Sequence, residues 1–127
     1  MQDKNIFFNI KGEDAQMNDK IVEFTVKGEV FKLELKTRQC ILLEKKLNNR
    51  SPLEILMQLE DGSLPSLNDM VTIITVGMLI HQPTMNENKV ADLLDAYVEQ
   101  DGHSYMELLE IVVELMSKSG YINNTEL

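Results

Sequence analysis

The sequence predicts an α+β fold, mainly helical, with an N-terminal β-hairpin packed on about five helices. Two observations carry this prediction. Residues 22–35 alternate apolar and polar on either side of a glycine, and five helix-start signatures follow in the remaining chain. An apolar share of 43% over 127 residues is enough for one core, and no linker or repeat divides the chain. The expected organisation is an N-terminal extension over residues 1–18, one domain over 19–120 and a C-terminal tail over 121–127.

Residues 1–18 are polar apart from a short apolar run and Ile10. Ile6, Phe8 and Ile10 alternate, so a short strand is one reading and a loosely attached extension the other. In the hairpin, Val22, Phe24 and Val26 share one face, as do Phe31, Leu33 and Leu35. A type II′ turn at Gly28-Glu29 would set Val26 opposite Phe31 and Phe24 opposite Leu33. A turn at Lys27-Gly28 would set Phe24 opposite Phe31 instead. Both keep the same apolar face, which must then be covered by helices.

Thr37 is a cap for a first helix running to about Leu47, closed by Asn48 or Asn49 in the left-handed region. Ser51, Pro52 and Glu54 form a helix start with a capping box. Gly62 and Pro65 break the chain again, and Ser66 opens a third helix that is apolar nearly all round, as a buried helix is. Two further boxes, Thr84 with Glu87 and Ser104 with Glu107, open the last two helices. The fourth is one-sided, through Val90, Leu93, Leu94, Tyr97 and Val98. In the fifth, apolar residues spread over more than half the circumference, and Gly120 ends it.

The net charge of −9 is unevenly spread. Residues 1–50 carry +2 and residues 51–127 carry −11. So acidic a helical half repels a phosphate backbone. The corner at residues 48–50 has the length of a helix-turn-helix turn, yet the helix after it has no Lys or Arg and a single Gln. Base readout needs such side chains, so no nucleic acid partner is expected. The longest nearly unbroken apolar run, residues 71–80, is far short of the roughly 20 residues of a membrane span. With one cysteine, Cys40, and no visible secretory signal, a reducing cytoplasm is the expected setting.

Chemistry is sparse. His81 and His103 have no cysteine partner for zinc. A calcium loop with Gly102 at its sixth position would put Tyr97 and Leu108 where carboxylates are required. Cys40 reads as a core residue, and no nucleophile elbow or phosphate-binding glycine loop occurs. The expectation is a protein with no catalytic residues, no metal and no cofactor.

Taken together, the hairpin at residues 24–37, the phrase Leu43-Glu44-Lys45-Lys46-Leu47 with the Ser51-Pro52-Leu53 helix start, and the two closing helices resemble the tail assembly chaperones of long-tailed bacteriophages and prophages. Asn48 stands where that family usually has glycine, and asparagine tolerates the same left-handed cap. The resemblance covers about residues 20–121. It implies a non-enzymatic chaperone that binds the helix-rich tape measure protein and helps major tail tube protein assemble around it. It also implies self-association as a homo-oligomer, action in the host cytoplasm, absence from the mature virion and a longer frameshifted form of the same chain.

On this reading the basic residues Lys45, Lys46 and Arg50 lie on the outside of the corner, where they engage another copy or a partner. The over-wide face of the last helix, with Met106, Leu109, Val113 and Met116, serves self-association or tape measure contact. The alternative is that this helix is deeply buried. A different class of function also stays open: an acidic inhibitor that imitates DNA and occupies a basic enzyme.

Overall fold

The computed structural model describes residues 20–122. The strand suggested by Ile6, Phe8 and Ile10 lies outside them, as do residues 123–127. Within them, an antiparallel hairpin precedes five helices, so the fold is α+β and mainly helical.

Strand β1 spans Val22–Val26 and β2 spans Glu29–Leu33. Phe24 stands opposite Phe31 and Val26 opposite Glu29. The turn is therefore Lys27-Gly28, with φ of 52° and 78°, and not Gly28-Glu29. Positive φ at both central positions is the type I′ geometry, which matches the twist of the strands. Lys27 tolerates the left-handed region here while its N–H donates to an Asp101 carboxylate oxygen at 2.7 Å. That bond ties the hairpin tip to a loop far along the chain.

The helices are α1 (Thr37–Lys46), α2 (Pro52–Glu60), α3 (Leu67–Met78), α4 (Glu87–Glu99) and α5 (Tyr105–Ser117). Their starts follow local chemistry, with three corrections to the sequence reading. The cap of α1 is Lys36, whose N–H donates to Gln39 Oε1 at 3.1 Å; Thr37 is already helical. The cap of α4 is Asn86, whose Oδ1 accepts the Lys89 N–H at 2.9 Å, so the Thr84–Glu87 box does not form. Asparagine is at least as good a cap as threonine, and it frees Glu87 to reach the Thr72 hydroxyl at 3.3 Å. Ser66 caps α3 as expected and the Ser104–Glu107 box opens α5; Ser51 caps α2 by accepting the Glu54 N–H at 3.1 Å, but the reciprocal bond of the expected Ser51–Glu54 box does not form.

Helix α3 is the centre of the fold. Met70 and every residue from Thr72 to Met78 are buried, and α1, α4, α5 and β2 all pack on it. Its buried hydroxyls are satisfied locally, Thr72 by the Asn68 carbonyl and Thr75 by the Val71 carbonyl. Gly77 lets α5 come close, because a Cβ there would stand 2.6 Å from Leu115 Cδ2. The hairpin lays Val22, Phe24, Val26, Phe31 and Leu33 into the same core. Phe24 meets the Tyr97 ring at 5.1 Å, and Tyr97 stacks on His103 at 4.3 Å. Helix α2 completes the core through Pro52 and Ile55, lying against α1 and α5.

Candidate partner-binding surface

The corner between α1 and α2 is built from left-handed residues. Asn48 and Asn49 both have positive φ, and the Asn49 N–H returns to the Glu44 carbonyl at 2.7 Å. Lys45 and Lys46 remain exposed on the last turn of α1. Arg50 does not join them. Its Nη2 donates to both carboxylate oxygens of Asp69, at 2.8 and 2.9 Å, and its Nε donates to the Leu47 carbonyl at 3.0 Å. The bond to Asp69 holds the guanidinium in its charged form and raises its pKa. Arg50 thus clamps the corner to the start of α3, and this removes it from the set of outward-facing basic residues.

The residues expected on the outer side of α5 divide. Met106 is 59% exposed. Leu109 and Val113 are half-buried, with Leu109 packed against the core. Met116 is fully buried, which corrects its place on the candidate surface. It follows Val112 at one turn's spacing, and that turn of α5 also carries buried Leu115.

Sequence reasoning missed a second exposed apolar group. Met57 on α2 is 58% exposed, Leu64 in the following loop 57%, and Leu67 at the start of α3 is also exposed. On α2 the inward residues are Pro52 and Ile55, with Leu56 packed beside them. Met57 points the other way, with exposed Glu54 three residues before it and exposed Glu60 and Asp61 three and four after. Residues at these spacings are surface neighbours on a helix, so Met57 stands among carboxylates. The signal was present in the sequence: Met57 lies off the apolar stripe, in a stretch from residue 51 to 88 with no Lys or Arg.

The groups that could have carried chemistry are engaged in pairs. His81 Nε2 lies 2.9 Å from Glu34 Oε1, and His103 Nδ1 lies 2.9 Å from Glu107 Oε1. Tyr121 donates its hydroxyl to Glu44, and burial followed by this bond raises its pKa. Burial, then the Glu44 charge, push the Cys40 thiol up, away from the reactive thiolate. A depression of about 250 Å³ beside Cys40 is lined by Thr37, Ile41, Ser119, Gly120 and Tyr121. A second, of about 610 Å³, is lined by Ile21, Glu23, Lys32 and Glu114. Neither gathers a nucleophile with a base among its described residues.

Comparison with protein-family models, with curated proteins and with solved structures finds no match to this chain. Among the described residues, no helix is long and apolar enough to cross a membrane.

Proposed function

We propose that this chain is a non-enzymatic tail assembly chaperone, acting in the host cytoplasm on the tape measure protein and tail tube protein of a long-tailed phage or prophage. The observation that carries the reading is a surface one. Large apolar side chains stand exposed on acidic helices at Met57 and Met106 and in the loop after α2 at Leu64, while the titratable groups nearest to chemistry are paired with one another. Such a surface suits transient cover of an apolar, helix-rich client, with the net charge keeping the complex soluble. The element order adds support, since a hairpin, a helix corner and two closing helices is the order on which the resemblance rests.

The test is co-expression with segments of the large protein encoded just downstream. The expected outcome is that helix-rich segments become soluble and co-purify, in proportion to segment length. A chain that captures none of them, and that binds a basic DNA-binding enzyme in a salt-sensitive way, would replace this reading with that of an acidic inhibitor.

A further inference from the structure

Single exposed apolar residues are ordinary on any protein surface. Three within eleven residues of chain, in a region without a cation, are not. Met57, Leu64 and Leu67 fall in one stretch, and their acidic neighbours Glu54, Glu60 and Asp61 are all exposed. None of the three carboxylates forms an ion pair with a described residue. Arg50, the nearest cation in sequence, is already committed to Asp69.

The backbone under this face is fixed at both ends. Gly62, at φ 88°, closes α2: the Ser63 N–H donates to the Gln58 carbonyl at 2.9 Å, and the Gly62 N–H to the Leu59 carbonyl at 3.0 Å. This pair of bonds is the Schellman arrangement, which folds the chain back over the last helical turn. It keeps Leu64 one residue from a backbone tied to α2. Ser66 then caps α3 through the Asp69 N–H at 3.0 Å. A loop held in this way needs little ordering when a partner arrives, which favours binding.

We propose that the outer face of α2 with its following loop is a docking face, and that its occupant is a cationic amphipathic helix. Apolar residues of that helix cover Met57, Leu64 and Leu67, and its Lys or Arg residues meet Glu54, Glu60 and Asp61. In taking the occupant to be a helical client, the inference rests on the chaperone reading. Its chemistry comes from the charge and apolar pattern of the face itself.

The experiment titrates the full chain against three labelled synthetic peptides of about 18 residues, followed by fluorescence anisotropy. One is a Leu/Lys amphipathic helix, one is the same pattern with Glu for Lys, and one has the Leu/Lys composition in scrambled order. The first binds, and the other two bind at least tenfold more weakly. A double variant, Met57→Glu with Leu64→Glu, keeps its circular dichroism and loses at least tenfold in affinity for the first peptide. Val30→Glu, on the exposed side of the hairpin, leaves that affinity unchanged. Equal binding of the scrambled peptide, or a loss with Val30→Glu and none with the double variant, overturns the proposal.

The same double variant separates this inference from the chaperone reading. If wild type and double variant solubilise tail segments equally well, the chaperone reading stands and the docking face is wrong. If wild type solubilises none yet selects the cationic helix through Met57 and Leu64, the face stands and the chaperone reading falls.

Discussion

Gln82 grips Lys32 with both ends of its side-chain amide. Its Oε1 accepts the Lys32 N–H at 3.0 Å, and its Nε2 donates to the Lys32 carbonyl at 2.9 Å. These are the outward backbone groups of β2, so a glutamine from the segment after α3 occupies the place of a third strand. An open strand edge is a template for pairing with other chains, and this one is covered at its middle.

Gln82→Ala should therefore act in two ways. Loss of the paired hydrogen bonds lowers stability by about 1 kcal/mol, because the freed groups can turn to water. The amide of Lys32 also loses its protection against hydrogen exchange while that of Phe31, bonded within the hairpin, keeps most of its own. Urea unfolding and residue-resolved exchange measure the two effects separately. Unchanged protection at Lys32 would show that the glutamine does not guard the edge.

Gly77→Ala should destabilise despite the better helix propensity of alanine. Its Cβ would stand 2.6 Å from Leu115 Cδ2 and 3.5 Å from Leu33, and both leucines are fully buried. Overpacking costs about 1–3 kcal/mol, against a propensity gain of about 1 kcal/mol, so a net loss of about 1 kcal/mol is expected. Combining it with Leu115→Val should cost less than the sum of the two, since the smaller side chain makes room for the new methyl. Additive losses in that double-mutant cycle would place the strain elsewhere.

The start of α5 should weaken in acid. The bond to His103, then that to the Ser104 N–H, hold the Glu107 carboxyl below the ordinary glutamate value near 4.5. A carboxyl depressed in the folded state contributes fully above that value and loses its contribution as pH falls below it. Glu107→Gln should thus flatten the stability curve below pH 4.5 and change its shape little at neutral pH. Thermal melts of both proteins across that window decide it; parallel curves would mean that the His103–Glu107 contact is not formed in solution.

Much of the fold is legible in local patterns. The hairpin face, the caps Ser51, Ser66 and Ser104, and the buried character of α3 all depend on neighbours within a few residues. The hairpin register was not legible, because Lys27-Gly28 and Gly28-Glu29 are both acceptable turns. What decides between them includes Asp101, which no local window contains. The candidate surface shows the same division. Exposed Met106 follows from the width of the α5 apolar face, but that width cannot say which part of the face meets the core, and Met116 does. Arg50 looked free because its partner Asp69 lies 19 residues away, across a whole helix and loop.

The bond from Lys27 to Asp101 joins residues 74 positions apart, and Tyr97, the ring that covers Phe24, is nearly as distant. Among the described elements the hairpin is therefore the first a ribosome delivers, and its β1 side is among the last to be covered. At roughly 5–20 residues per second, its apolar face waits about 4 to 15 s for the segment that seals it. Helix α3 is the helix that packs on β2, but until α4 and α5 emerge the β1 side of this face, with Val22, Phe24 and Val26, stays uncovered. The chain thus passes through a sticky, half-made stage, and factors at the ribosome exit are the first to meet it.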